Sequence, residues 1–68
     1  MNKNFNIQVG DIYLYTTNNG EIEREITDIG FKRVGYINNG KKQACLKSTF
    51  KRWWKGAELI YRIEDEQK

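Results

Sequence analysis

Apolar and polar residues alternate along much of this chain, which is the pattern of half-buried β-strands. The first such run covers residues 12–15 and follows a turn at residues 9–11. Residues 18–20, Asn-Asn-Gly, end it, and an Asn-Gly pair supplies the positive φ angles of a tight hairpin turn. We therefore predict that the next run, residues 21–29, returns antiparallel beside the first.

The second run departs from simple alternation. Ile22 and Ile26 share a face with Arg24, whereas Ile29 has moved to the opposite parity. A bulge near residues 27–28 would restore the alternation, and small barrels bend at such bulges. The other face carries Glu21, Glu23 and Glu25. We predict that this row of carboxylates faces solvent.

Gly30 begins the next turn, and residues 31–37 form the predicted third strand. Val34 and Tyr36 lie on its inner face by alternation, and Gly35 between them indicates a close backbone approach or a kink. A second Asn-Asn-Gly follows directly and predicts another hairpin.

The fourth predicted strand covers residues 41–47. Alternation puts Ala44 and Leu46 on its inner face, and it leaves Cys45 on the other face or at a sheet junction. The chain contains no histidine that could activate this thiol. We therefore interpret Cys45 as a small packing residue rather than as a reactive group.

A helical pattern replaces the alternation over residues 47–57. At about 100° per residue, one arc of this helix collects Phe50, Trp53, Trp54 and Ala57. The opposite arc carries Lys51, Arg52 and Lys55. Ser48 or Thr49 can cap the N-terminus, and Gly56 can close the C-terminus in the left-handed conformation. We predict a two-turn helix with one packed face and one face in water.

The closing strand is predicted at residues 58–63. Its inner face carries Leu59, Tyr61 and Ile63. Five strands with a helical turn before the last one are the layout of a small, strongly bent barrel. We therefore predict an all-β fold, a five-stranded antiparallel barrel of the SH3-like kind.

The domain proper is predicted to cover residues 9–63. Residues 1–8 are polar, and we expect either a loose edge strand or an arm that lays Phe5 on the core. The acidic residues 64–68 are expected to be a frayed tail.

The layout resembles the SH3-like barrels, including the Tudor-like and KOW-like branches, in which a helical turn precedes the fifth strand and plugs one end. The chain also resembles small uncharacterised proteins of bacteriophages and mobile elements, in the segments Val9-Gly10-Asp11-Ile12-Tyr13, Val34-Gly35-Tyr36 and Phe50-Lys51-Arg52-Trp53-Trp54. This resemblance implies an accessory protein in the cytoplasm of a bacterial host. The acidic loop of peptide-binding SH3 domains is not evident, and no aromatic cage of the Tudor type can be assigned to particular residues.

Length and composition limit the size of the core and the compartment in which such a domain can fold. A chain of 68 residues buries only about 60% of the surface that its unfolded form exposes. Two Trp, four Tyr and three Phe are therefore expected to carry the small core. The single cysteine excludes an internal disulfide, and no signal peptide or long apolar run is evident. We expect a soluble cytoplasmic protein that makes no contact with a membrane.

Charge is distributed unevenly along the chain. Residues 29–57 contain eight cations and no acid, whereas the remaining residues hold four cations and nine acids. The two parts thus carry +8 and −5, a difference of thirteen charges. Such a basic segment attracts phosphate or an acidic protein surface, although a small soluble domain can also carry surface lysines without a partner.

Enzyme chemistry finds no support in the sequence. Besides lacking histidine, the chain shows no metal-ligand spacing, no phosphate-cradling glycine loop and no nucleophile beside a base. The three glutamates of the second run are better explained as a solvated face than as a metal or catalytic cluster. We predict a non-enzymatic protein without metal or cofactor.

Binding of nucleic acid or of a nucleoprotein is the first functional hypothesis, because cations attract phosphates and exposed aromatic rings stack on bases. We expect Tyr13 and Tyr15 to be exposed opposite Ile12 and Leu14, and either Trp53 or Trp54 to be partly exposed. The full set of candidate contact residues is Lys32, Arg33, Lys47, Lys51, Arg52, Trp53, Trp54, Lys55, Tyr13 and Tyr15.

The alternative hypothesis is a protein-binding inhibitor that docks on an acidic surface of a host protein, either a defence protein, in the manner of an anti-CRISPR protein, or a transcription protein. Trp, Tyr and Arg are enriched at the centres of protein interfaces, and this chain brings them together around Arg52. An exposed edge strand could also pair two copies into a homodimer.

Overall fold

The computed structural model describes residues 4–63 of the chain. It contains five strands and one helix, which are β1 Ile12–Thr17, β2 Gly20–Ile29, β3 Arg33–Asn38, β4 Lys41–Leu46, α1 Lys47–Trp54 and β5 Glu58–Tyr61. This order confirms the predicted succession of four strands, a helix and a last strand. The acidic tail and the first residues of the N-terminal arm, for which predictions were made, lie outside the described residues.

All five strands belong to one antiparallel sheet with the order β4-β3-β2-β1-β5. Strands β4 and β5 are its two outer strands, and no pairing joins them within residues 4–63. The mostly β, antiparallel architecture is therefore confirmed, whereas the sheet is not closed into a barrel by hydrogen bonds.

Both predicted hairpins and the predicted bulge are present, but in the first hairpin the turn residues are Asn18 and Asn19, and of the Asn19-Gly20 pair only Gly20 has a positive φ, +130°. Asn39 and Gly40 have φ angles of +48° and +92°, which are the positive values that a two-residue hairpin turn requires. The register between β2 and β3 shifts between Ile26 and Asp28, where the change of parity had indicated a bulge. Gly35 permits a close approach there, because a Cβ at this position would lie only 3.2 Å from the Cβ of Asp28.

One face of the sheet carries the core, and α1 covers that face. The buried apolar side chains are Tyr13, Ile26, Val34, Tyr36, Phe50, Trp54 and Ala57. The N-terminal arm adds Phe5, whose ring lies edge-on to Trp54 with the centroids 4.9 Å apart. The arm therefore lays Phe5 on the core, which is one of the two arrangements expected for it.

Two strands differ from the predicted inner faces. In β4, Cys45 packs against the core while Ala44 and Leu46 are exposed. The reason is the register set by the two-residue turn, which places Cys45 opposite the buried Val34, and cross-strand partners share a face. The expectation that Cys45 is a packing residue is confirmed, but the assignment of Ala44 and Leu46 to the inner face is wrong.

In β5, the residues predicted to point inward are exposed. Leu59, Tyr61 and Ile63 retain between 41% and 58% of their accessible surface. Within residues 4–63, the outer strand β5 pairs only with β1, and the register shifts where Ile12 and Tyr13 face Tyr61 and Leu59. No strand of this part of the chain covers the second edge of β5 or its apolar side chains.

The ends of α1 also differ from the prediction. Leu46, and neither Ser48 nor Thr49, occupies the N-cap position, and an apolar leucine side chain cannot accept a capping hydrogen bond. At the other end, the N–H groups of Gly56 and Ala57 donate to the carbonyl oxygens three residues back, at 3.1 and 3.0 Å. This tight last turn ends the helix without a left-handed residue. A Cβ at Gly56 would lie 2.8 Å from Cε2 of Tyr15, so the Tyr15 ring would have to move to admit a side chain there.

A buried ion pair ties the start of the domain to its end. The carboxylate of Asp11 is fully buried and accepts hydrogen bonds from Nε and Nη2 of Arg62 at 2.9 and 2.8 Å. The backbone N–H of Gln8 and the hydroxyl of Tyr13 also donate to it, each at 2.9 Å. Arg62 additionally donates to the carbonyl oxygen of Asn6, so one side chain fastens the arm, β1 and the residues after β5 together.

Candidate nucleic-acid interface

Helix α1 presents a row of cations on the side away from the core. Within the helix, Phe50 and Trp54 are buried on the side that faces the sheet, while Lys51, Arg52 and Lys55 are exposed. Since residues four apart in a helix lie above one another, Lys47, Lys51 and Lys55 form one line about 12 Å long. The predicted division of the helix into a packed face and a charged face is therefore confirmed.

The loop between β2 and β3 adds one more cation, Lys32, at the start of this row. The backbone N–H of Lys47 donates to the carbonyl oxygen of Lys32 at 2.8 Å, which fixes the loop against the N-terminus of α1. Arg33 is the first residue of β3 and pairs with Leu46, so alternation with the buried Val34 places its side chain on the face of the sheet opposite the helix. We name the resulting set the basic helix surface, and it consists of Lys32, Lys47, Lys51, Arg52 and Lys55, whereas Arg33, which was also predicted as a contact residue, lies apart from it.

Phe31 is a further aromatic residue of this region, and it is not among the candidate contact residues predicted from the sequence. Its side chain retains 90% of its accessible surface, more than any other large apolar side chain that the structure describes. It was assigned to the third strand, but that strand begins only at Arg33, so Phe31 lies in the loop. The sequence does contain a signal for this exposed position, because Phe31 stands between a turn glycine and two cations.

Of the four aromatic residues predicted to contact a ligand, Tyr13 and Trp54 are not available, whereas Trp53 is partly exposed, as predicted for one of the two tryptophans. Tyr13 is buried and bonded to Asp11, and Trp54 is buried in the core, so the expectation that Tyr13 is exposed is wrong. Tyr15 and Trp53 are half-buried and stack on one another, with centroids 5.6 Å apart. One face of each ring is thus covered by the other ring, and the guanidinium carbon of Arg24 lies 4.3 Å from the ring centroid of Trp53 as well.

Arg24 occupies an aromatic pocket on the inner face of the sheet. Its guanidinium carbon lies 4.5 Å from the ring centroid of Tyr36 and 4.3 Å from that of Trp53. The Nε of Arg24 donates to Oδ1 of Asn38 at 2.9 Å. These contacts are cation–π interactions that allow a charged side chain to lie among aromatic rings. The chain therefore fills this pocket itself, and the pocket offers no cage for a methylated lysine.

The groups with shifted pKa values belong to the core rather than to the basic helix surface. Burial by itself raises the pKa of Asp11, but hydrogen bonds from Arg62, Gln8 and Tyr13 outweigh it, and the pKa lies below its ordinary value of 3.8. Burial raises the pKa of Tyr36, and its interaction with the Cys45 thiol adds to the rise. These shifts follow from packing and an ion pair and indicate no acid–base pair in a cleft.

Two further properties bear on function. Among residues 4–63, no group of three or more His, Cys, Asp or Glu side chains is placed to hold a metal ion. In the same part of the chain, no helix has the length and apolar character needed to cross a membrane.

Comparisons with protein-family models, with curated proteins and with solved structures found no match to this chain. The function is accordingly inferred from the surface described above.

Proposed function

We propose that this chain is a small non-enzymatic binding module that holds nucleic acid on the basic helix surface. The observation that carries the proposal is the exposure of Lys51, Arg52 and Lys55 on one side of a helix whose other side is packed, with a cationic loop fixed at its N-terminus. Neutralisation of phosphates by such cations releases counterions and supplies most of the affinity of sequence-independent binding.

The distribution of the acids supports this assignment. Glu23 and Glu58 both pair with Leu14, and Glu21 lies further along the same face of β2. Neighbours of Leu14 in β1 point the other way, into the core that α1 covers. The glutamates thus lie on the face of the sheet opposite the helix, where they do not neutralise the basic helix surface. A polyanion would approach the helix side and be repelled from the other.

The proposal extends to the fold family and the biological setting. An antiparallel sheet of five strands with a helix directly before the last strand is consistent with a bent SH3-like barrel. The resemblance of three segments to small phage and mobile-element proteins leads us to propose an accessory protein that acts in the cytoplasm of a bacterial host.

A direct test compares the affinities of two charge variants for a labelled oligonucleotide of random sequence. Changing Lys51, Arg52 and Lys55 to Gln should weaken binding by at least about tenfold at 0.1 M salt, because three phosphate contacts are removed. The control changes Lys41 and Lys42 to Gln, which are exposed at the far end of β4. Its affinity should change by less than about threefold. Equal effects of the two variants would show that overall charge, and not this surface, determines binding.

A protein-binding inhibitor of a host defence or transcription protein is the second candidate, and a separate observation favours it. The outer strand β5 exposes Leu59, Ile60 and Tyr61, and Ile63 beyond it is exposed as well. An open strand edge with apolar side chains can accept a strand from a partner. Capture from a bacterial lysate with and without nuclease separates the two candidates, because only a nucleic-acid-dependent partner is lost after digestion.

A further inference from the structure

The exposure of Phe31 alone would carry little weight, since single apolar residues are common on protein surfaces. What distinguishes Phe31 is the combination of an exposed fraction of 90% with a backbone that is held on both sides. Its position beside the basic helix surface adds a charged environment. Taken together, these three features suggest a contact residue.

The loop that carries Phe31 is fixed at its base. The N–H of Gly30 donates to the carbonyl oxygen of Arg33 at 2.8 Å, directly beyond the paired residues Ile29 and Val34. The carbonyl oxygen of Lys32 accepts from the N–H of Lys47, also at 2.8 Å. Phe31 is therefore presented on an anchored backbone, which reduces the ordering cost that binding would otherwise incur.

The two residues that follow Phe31 are Lys32 and Arg33. An aromatic ring beside cations is the arrangement by which proteins hold single strands, in which the ring stacks on a base while the cations contact the backbone phosphates. In a duplex the faces of the bases are covered by their neighbours, so the same ring would find no partner without unstacking a step.

We infer that the protein binds single-stranded nucleic acid in preference to duplex, and that Phe31 stacks on an unpaired base while the basic helix surface holds the adjoining phosphates. This inference rests on the proposed function and deepens it. It assigns base contact to Phe31 and not to Tyr13, Tyr15 or the tryptophans, whose rings are engaged within the protein.

The test measures affinity by fluorescence anisotropy for a labelled single strand and for the duplex of the same sequence. Phe31→Leu keeps an apolar side chain and removes the aromatic face. We expect it to weaken single-strand binding by about 5- to 150-fold, equivalent to about 1–3 kcal/mol, and to leave duplex affinity within about twofold. Phe31→Trp should restore single-strand affinity, because it restores a stacking face.

Tyr61→Leu is the matched control, since it removes an exposed aromatic ring from β5 and should leave both affinities unchanged. The melting temperature of Phe31→Leu should equal that of the wild type, because the side chain is in solvent. Unchanged single-strand affinity of Phe31→Leu, or a wild-type preference for duplex, would overturn the inference while leaving the proposed function intact. Failure of the proposed function looks different, because the wild type would then bind neither form in a salt-dependent way.

Discussion

The buried pair of Asp11 and Arg62 gives a quantitative prediction for stability. Asp11→Asn keeps the shape of the side chain and removes its charge. In the native protein Oδ1 accepts one hydrogen bond from Arg62, and Oδ2 accepts a second from Arg62 together with those from Gln8 and Tyr13. An amide has only one acceptor oxygen, so either orientation points its NH₂ group at a donor of Arg62. The substitution therefore breaks the pair inside the protein.

Removal of one partner from a buried ion pair costs about 3–5 kcal/mol. The side chain of Arg62 is 30% exposed, so its guanidinium can regain hydration, and we expect the lower end, about 3 kcal/mol. At roughly 0.05–0.15 kcal/mol per residue, a domain of this size has a total stability of about 3–9 kcal/mol. The melting temperature should consequently fall by at least about 10 °C.

Thermal unfolding followed by circular dichroism at several pH values checks both the size and the origin of this effect. Because the pKa of Asp11 is lower in the folded protein than the ordinary value of 3.8, its contribution is complete well above that pH. It is lost as the pH falls below 3.8 towards the folded pKa. The stability gap between wild type and Asp11→Asn should thus be full at neutral pH and shrink in acid.

Asp28→Asn is the matched control, because Asp28 is exposed and the same substitution there should change stability by less than about 0.5 kcal/mol. The reasoning is refuted if Asp11→Asn melts within about 3 °C of the wild type at neutral pH. It is refuted equally if the gap between the two proteins stays constant down to about pH 3.

The remaining predictions concern the core. Phe50→Ala removes a fully buried ring whose centroid lies 5.4 Å from that of Tyr36, and it should lower the free energy of unfolding, measured in urea, by about 3–5 kcal/mol. Trp54→Ala should lower it more than Trp53→Ala. Near-wild-type stability of these variants would show that α1 is not packed as described. Cys45 packs against the core, so a thiol probe should label it slowly in the native protein and rapidly in denaturant, and fast native labelling would contradict this placement. Gly56→Ala places a Cβ 2.8 Å from the ring of Tyr15 and should lower the free energy of unfolding by about 1–3 kcal/mol. At Gly30 the nearest atom to an added Cβ is 3.5 Å away, so Gly30→Ala should leave stability nearly unchanged. Equal losses of stability in the two variants would be inconsistent with the close approach at Gly56.

The features predicted correctly from sequence are those determined by neighbouring residues. The Asn-Gly turn at Asn39 and Gly40 needs positive φ angles, and the change of parity before Ile29 needs an extra residue in β2. Both are properties of a few adjacent positions, and both are present. The amphipathic helix belongs to the same class, because its two faces follow from spacing alone.

The orientation of β1 could not be predicted in this way. Its alternation separates Ile12 and Leu14 from Tyr13 and Tyr15, but both sets are apolar enough to be buried, so period two does not decide which face packs. Tyr13 lies on the inner face because its hydroxyl donates to the buried carboxylate of Asp11 and its ring belongs to the same core cluster as Trp54. Alternation along β1 reveals neither contact. The inner face of β5 was mispredicted for a related reason, since an outer strand can remain apolar and exposed.

The residues of the candidate site were predicted in part. Its cations were visible as an acid-free segment, and the helix spacing placed Lys51, Arg52 and Lys55 correctly in solvent. Their proximity to Lys32 depends on a backbone hydrogen bond between a loop and a helix, which no local pattern encodes. Phe31 was missed because an apolar residue next to a strand was assumed to be part of it.

The salt dependence of nucleic-acid binding tests the central claim most directly. The measurement is the slope of log affinity against log salt concentration for the wild type and for the variant with Lys51, Arg52 and Lys55 changed to Gln. Each phosphate contact contributes about 0.7 to the slope for a single strand, so the wild-type slope should be about −3.5 if all five cations of the basic helix surface contact phosphates. The slope of the variant should be smaller by about 2, because three contacts are lost. The variant should also melt at the wild-type temperature, since exposed charges contribute little to stability. Equal slopes for the two proteins would contradict the assignment of this surface to phosphate binding.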